Sequence, residues 1–255
     1  MRIAIITGAS SGIGRAFAQA VSHYDEVEEL WLIARRRERL EELAAQLSKP
    51  VRVLAYDLAE QESIGAIRDL LQKQAPQVAY LINAAGFGKF STYADLTLQE
   101  TNDMIDVNCK ASVDLTVISI AYMTRGSRIL EIVSTSAFQP LPGLNIYAST
   151  KAFMLHYTRA LRWELMGKGI TVTAVCPYWV KTDFMRVAQE TKNGKTVRFF
   201  PFASTPQAIA RRALRANRMG FAVATCSLPG AIQRFFVKII PHGLIMGIWT
   251  LTKKL

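Results

Sequence analysis

The sequence predicts an α/β fold in which a doubly wound parallel sheet carries helices on both faces. Three observations lead there. Short apolar runs recur along the 255 residues, segments long enough for crossover helices separate them, and a glycine-rich turn joins the first run to its helix. Half of the residues are hydrophobic, so a single domain of this length buries a sizeable core without a second.

The first run, Arg2 to Ile6, reads as a buried strand, and Thr7 to Gly14 leads from it into a helix pattern from Arg15 to Val21. Gly8, Gly12 and Gly14 follow a Gly-x-x-x-Gly-x-Gly spacing. Glycines let the backbone approach an anion closely, and the free N–H groups at a helix start favour phosphate. Gly8, Ser10, Ser11, Gly12, Ile13 and Gly14 are therefore expected to cradle a dinucleotide pyrophosphate. Further strands are expected at Leu30 to Ala34, Val51 to Tyr56, Val78 to Ile82, Arg128 to Val133 and Ile170 to Cys176. Their long connections imply parallel pairing, and such sheets bind ligands at the carboxyl ends of their strands. Thr191 to Pro206, with Asn193-Gly194, Pro201 and Pro206, reads as a mobile loop.

Tyr147-Ala148-Ser149-Thr150-Lys151 carries the first sign of chemistry. On a helix, residues four apart share a face, so the Lys151 ammonium can reach the neighbourhood of the Tyr147 hydroxyl. A free tyrosine titrates near pH ~10 and a neighbouring cation lowers that value, which would make Tyr147 a usable acid or base. The same spacing also suits an ordinary surface pair, and the rest of the chain decides between them.

Cys109, Cys176 and Cys226 are odd in number and widely spaced, which fits reduced, mostly buried thiols better than disulfides or zinc ligands. His23, His156 and His242 form no ligand spacing, so no metal is expected. The first strand begins at Arg2 and leaves no room for a cleavable leader, which points to a cytoplasmic protein.

Beside the turn at Thr7 to Gly14 and the Tyr147/Lys151 pair stand Asp57-Leu58, Asn83-Ala84-Ala85-Gly86, Asn108, Ser134 and Pro177 to Thr182, in order over residues 7 to 182. In these pieces the chain resembles the short-chain dehydrogenase/reductase family. The resemblance implies a Rossmann-type sheet and an NAD(P)-dependent oxidoreductase that moves a hydride between a nicotinamide and a carbonyl or secondary alcohol. It assigns Asn108, Ser134, Tyr147 and Lys151 to catalysis. Tyr147 would be the proton donor in reduction, Ser134 would hold the carbonyl oxygen, and Asn108 would anchor a water leading to Lys151. Lys151 would bind the nicotinamide ribose and lower the Tyr147 pKa. Ser136 competes with Ser134, and the thirteen-residue spacing to tyrosine favours Ser134. Asp57 and Leu58 would meet the adenine, Asn83, Ala84 and Gly86 would line the cofactor trough, and Pro177 and Thr182 would contact the nicotinamide.

After the second strand, Ala34 stands where an acidic residue would bind the adenosine ribose, and Arg35 and Arg36 follow. Arg35 matches a phosphate-binding arginine of the family, so NADP(H) is expected over NAD(H). Arg35 to Arg37 also suit a solvated helix start partnered by Glu38, Glu41 and Glu42. Pro177-Tyr178-Trp179 departs from the family's proline-glycine, and the two aromatics suit either core or one wall of an apolar pocket. Thr135 to Ile146 is likewise apolar and borders the substrate in the family. An apolar carbonyl compound is favoured over a sugar, with a 3-oxoacyl thioester on an acidic acyl carrier protein and a non-catalytic NADP-binding regulator as alternatives.

Residues 181 to 255 hold 13 Lys+Arg against 2 Asp+Glu, which accounts for the whole net charge of +11. Arg211, Arg212, Arg215 and Arg218 recur at helical spacing, and an uncharged run from Ile239 to Thr252 follows, too short for the ~20 residues of a spanning helix. The chain divides into a domain at 1–228, with a substrate loop at about 185–206, and a basic, apolar extension at 229–255 packed on it. Three readings suit that extension: a peripheral membrane contact, a dock for an acyl carrier protein, or packing over the active site and a partner subunit of a homodimer or homotetramer. No nucleic-acid motif accompanies the positive charge.

Overall fold

Ile3, Ala4, Ile5 and Ile6 are fully buried in the first strand, which leaves no face of it for water. That is the signature of a strand central in a parallel sheet. A computed structural model describes residues 1–92, 94–190, 197 and 200–253, side chains 252 and 253 excepted. Seven parallel strands stand in the order β3-β2-β1-β4-β5-β6-β7. They are β1 (Arg2–Thr7), β2 (Glu29–Ile33), β3 (Val51–Leu54), β4 (Gln77–Asn83), β5 (Arg128–Ile132), β6 (Thr171–Val175) and β7 (Val223–Ala224). All the expected strands form, within a residue or two at most ends. β7 has only two residues, too few for a periodicity to register.

Alternation along each strand feeds two cores. Ala4 and Ile6 of β1, with Leu30 and Leu32 of β2, pack against α1 (Gly12–Val21), α2 (Arg37–Ala44) and α8 (Pro206–Arg218) through Phe17, Val21, Leu40 and Leu214. Ile3, Ile5, Trp31 and Ile33 face the other way, onto α3 (Gln61–Gln74), α5 (Ala111–Ile120) and α6 (Asn145–Met166) through Ile67, Leu71, Leu115 and Leu161. The fold is a Rossmann-type doubly wound sheet, with one helical layer on each face.

The remaining helices surround the carboxyl edge. α4 (Leu98–Ile105) starts with a capping box between Thr97 and Glu100, then widens into a π turn at Asp106–Lys110 before α5. A 3₁₀ turn at Thr135–Phe138 follows β5, and α7 (Asp183–Gln189) follows β6. The loop expected at about 185–206 therefore begins inside a helix, because Thr182 and Asp183 start a turn that Phe184 and Ala188 pin to the core. Residues 191–196, 198 and 199, with Asn193-Gly194, lie outside the described residues. α9 (Leu228–Phe236) and α10 (His242–Lys253) end the chain. Ser227 caps α9, accepting from Gly230 N, so a division at 228/229 cuts the first turn of that helix. Cys109, Cys176 and Cys226 are buried free thiols, and burial pushes their pKa values to about 11, 12 and 12, so none is a ready nucleophile.

Asn217, fully buried at the end of α8, ties that helix to the sheet. Its Nδ2 donates to Ile129 O at 3.3 Å and Thr173 Oγ1 at 3.1 Å, and its Oδ1 accepts from Arg128 Nη1 at 3.3 Å. Truncation removes these three bonds from the buried end of the helix, while Thr173 Oγ1 keeps its bond to Phe221 O and Arg128 its bond to the Asn217 backbone. Asn217→Ala is expected to lower the unfolding free energy by about 2 kcal/mol in urea titration, with cofactor affinity of the folded fraction unchanged.

Candidate active site

Because the strands are parallel, their carboxyl ends and the helices that leave them meet at one edge. A cleft of about 840 Å³ opens there. One half is lined by the β1–α1 turn, the β2 end and the β4 end, and the other by Ser134, Tyr147, Lys151 and the segment from Pro177 to Glu190.

In the first half, the turn from Gly8 to Gly14 lies so close to the β4 end that side chains would not fit. A Cβ on Gly8 would stand 2.7 Å from Ala84 O, and one on Gly14 would stand 2.4 Å from Gly8 O. Gly8 also has φ +65°, a left-handed conformation that favours glycine. The buried Thr7 hydroxyl fixes the approach by accepting from Ala84 N and Ala85 N, each at 2.9 Å. Ser11, extended at the N-cap of α1, makes no side-chain cap, so the helix start faces the cleft with free N–H groups. A backbone cradle at a positive helix end fits a pyrophosphate.

Arg36, rather than Arg35, reaches this turn. Its Nη2 donates to Ser10 Oγ at 3.1 Å and Ser11 Oγ at 3.0 Å. Arg35 is three-quarters exposed and lies 3.7 Å from Asp57 Oδ2. The Arg36 pKa is held down first by burial and then by Arg39, with Arg35 and Arg186 adding to it and Asp183 opposing them. Arg39 pairs with Asp183 at 3.1 Å and Arg186 with Glu190 at 2.9 Å, whereas Arg36 is held by the two serine hydroxyls, which suits it to an anion at the turn. Asp57 also accepts from Ala59 N at 3.1 Å, and with Leu58 it lines the cleft beside Arg35.

In the second half, α6 carries Tyr147 and Lys151 in its first two turns, on a buried face. Tyr147 is hydrogen-bonded with Ser134 and packs on Phe184 at 5.3 Å between ring centres. Lys151 Nζ donates to Ile132 O at 2.9 Å and lies 5.7 Å from the Tyr147 ring centre. Ser134 Oγ also accepts from Ser136 N, whereas Ser136 Oγ is buried without a partner away from the cleft, so geometry selects Ser134 of the two.

The electrostatics differ from the sequence expectation. Burial drives the Tyr147 pKa up to about 12, and the Ser134 hydrogen bond opposes this. Burial also pushes Lys151 down to about 8, against the attraction of Cys109, Glu131 and Cys176. Desolvation outweighs a cation held on a backbone carbonyl, so Tyr147 is a neutral hydroxyl and a proton donor.

Two of the expected site residues stand behind the cleft. Asn83 donates from Nδ2 to Ser112 O, to Thr116 Oγ1 and, at 2.8 Å, to Glu131 Oε1, so its side chain does not line the trough. The carboxylate of Glu131 captures it. Asn108, held in the π turn, accepts from Phe87 N at 3.0 Å and donates to Phe87 O at 2.9 Å and Thr150 Oγ1 at 3.1 Å. Its amide thereby ties the backbone at Phe87 to Thr150, beside Gly86 and Lys151. Ala84, Gly86, Pro177 and Thr182 line the cleft as expected, and Tyr178 and Trp179 form part of its wall. Trp179 packs edge-on against Phe200 at 5.0 Å and near Phe90 at 6.4 Å.

Sequence reasoning missed Glu131, 1% exposed and pushed up to about 8 by burial despite bonds from Asn83 and Thr116. A charged residue within an apolar strand run was its only signal. It also missed Lys89 and Glu100, which line the cleft as a 2.7 Å ion pair. The Lys89 hydrogen bond holds Glu100 down to about 2.

Residues 2–193 match the family described as short chain dehydrogenase. Sulfoacetaldehyde reductase 2 of Chromohalobacter salexigens is 36% identical over 191 residues, 72% of this chain and 75% of that protein. Very-long-chain 3-oxoacyl-CoA reductase of Anas platyrhynchos is 28% identical over 262 residues, 98% of this chain and 80% of that one. Among solved structures, a short-chain dehydrogenase from Sphingobium yanoikuyae in complex with NADPH superposes with a TM-score of 0.79 at 27% identity. It covers 94% of this chain and 97% of its own. The chain belongs to the short-chain dehydrogenase family and is an NAD(P)-dependent oxidoreductase.

Proposed function

We propose that the protein reduces an apolar ketone or aldehyde with NADPH. One observation carries this reading: the Tyr147 hydroxyl, the Ser134 hydroxyl and the Lys151 ammonium meet at a cleft whose far wall is aromatic. The glycine turn would hold the pyrophosphate and Arg36 the extra phosphate on the adenosine ribose of NADPH, with Ser10 and Ser11 beside it, and Lys151 would hold the nicotinamide ribose. When bound, the cofactor supplies the hydride for the carbonyl carbon. Ser134 donates a hydrogen bond to the carbonyl oxygen and orients it toward Tyr147. Tyr147, kept neutral by burial, gives its proton to that oxygen as negative charge develops there. Lys151 stabilises the resulting phenolate, since its ammonium shares the same dry face. The cleft-lining aromatics Tyr178, Trp179 and Phe184, with Phe90 and Phe200 packed behind Trp179, favour an apolar acyl or ring system over a sugar, and the reductase of very-long-chain 3-oxoacyl-CoA offers a precedent. Phe153, Trp163 and Met166 stand exposed on α6 and fit a contact between copies in a homo-oligomer.

Tyr147→Phe is expected to keep NADPH affinity, by fluorescence titration, and to lose activity about 100-fold or more in NADPH oxidation with a panel of apolar carbonyls. An active Phe variant would remove the role given to Tyr147. Arg36→Ala is expected to raise the KM for NADPH about tenfold or more and to leave that for NADH nearly unchanged, with Arg35→Ala the milder change. Lys151 is charged below its depressed pKa of about 8, so kcat/KM for reduction is expected to fall as pH rises through that value, while Tyr147 stays protonated. Glu131 holds the Lys151 pKa up, so Glu131→Gln is expected to move this limb to lower pH.

A further inference from the structure

The C-terminal arm turns the usual arrangement of an amphipathic helix outside in. On α9, Gln233 and Arg234 are half-buried against the protein, and Gln233 Oε1 is buried without a hydrogen-bond partner. Ile232, Phe235 and Phe236 are open to solvent instead, followed by Ile239. α10 continues the pattern with Leu244, Ile248 and Leu251 exposed along one stripe. Large apolar side chains in one contiguous segment require a cover.

Charge identifies that cover. From Ser227 to Leu255 the chain carries Arg234, Lys238, Lys253 and Lys254 and no Asp or Glu. A second copy meeting this face about a twofold axis would set the exposed Lys238 against a segment without acidic side chains, whereas an anionic bilayer complements both the charge and the apolar stripe. The arm does not cross it: no described helix is long and apolar enough to span a membrane. An in-plane helix needs no such length.

The arm is also fastened to the catalytic rim. Trp249 Nε1 on α10 donates to Pro142 O at 2.8 Å, in the segment between Ser134 and Tyr147, and its ring joins the apolar cluster that contains Tyr147 and Trp179. On the other side, Gly230 of α9 packs on Thr135, next to Ser134. We propose that α9 and α10 dock in the plane of an anionic lipid bilayer and hold the active site against it. Docking does not depend on the substrate; that a bilayer-dissolved carbonyl compound then enters the cleft rests on the function proposed above.

The test is flotation of the full chain, without substrate, with phosphatidylcholine vesicles and with vesicles in which phosphatidylglycerol replaces part of that lipid. The protein is expected to float with the anionic vesicles, to stay behind with the neutral ones and to be released by salt. Phe235→Ser with Phe236→Ser, and separately Lys238→Glu, are expected to weaken binding on the order of tenfold at unchanged melting temperature. Failure to float, equal flotation with both vesicles, or binding that neither variant weakens would overturn docking through this face. So would a vesicle-indifferent oligomer that the Phe235→Ser, Phe236→Ser variant dissociates, which would assign the face to a second copy. NADPH oxidation with a water-soluble carbonyl, measured in parallel, reports on catalysis alone, so the two ideas can fail separately.

Discussion

The contact between the β1–α1 turn and the end of β4 is the constraint on which the site depends. One Thr7 hydroxyl oxygen accepts from two successive backbone N–H groups, Gly8 removes the side chain that would hold the turn off the β4 end, and Gly14 lets α1 start directly against the β1 end. Neighbouring bonds repeat the device across the edge: Ala9 N to Ile33 O beside β2, and Thr135 N to Pro177 O between the β5 and β6 ends. The phosphate cradle and the catalytic hydroxyls thereby share one rigid rim. Their spacing comes from the sheet, with little left to the loops.

Behind that rim lies a polar layer that an apolar sheet would not need for stability. Asn83, Thr116 and Glu131 bond to one another under the floor of the cleft, and Lys151 is buried above them on a backbone carbonyl. Burial lowers the lysine and raises the carboxyl, and the attraction between them opposes both shifts. The same desolvation keeps Tyr147 neutral. Here one physical effect, removal from water, sets all three ionisation states, and pairwise attraction only trims it.

Much of the architecture could be read in advance because its signals are local. A buried parallel strand must be apolar on both faces, and six runs announced themselves that way; the two-residue β7 could not. Gly8, Ser134, Tyr147 and Lys151 were legible from spacing, and they line one cleft. Asn83 and Asn108 were legible as motif members, but the directions of their amides were not. Where an amide points depends on partners far along the chain, Glu131 for one and Phe87 for the other. Arg35 and Arg36 show the same limit at closer range: adjacent residues leave a strand end on opposite sides, and only the position of Ser10 and Ser11 singles out Arg36.

The sequence by itself determined the sheet, the phosphate turn, the proton-transfer pair and the concentration of positive charge in the last third of the chain, since each follows from residue type and short-range order. Tertiary structure decided the ionisation of that pair, the arginine that guards the turn, the aromatic wall, and which side of α9 faces outward. These depend on burial and on contacts between segments more than a hundred residues apart, such as Pro142 with Trp249, and desolvation is a property of the packed whole that no short stretch of sequence carries.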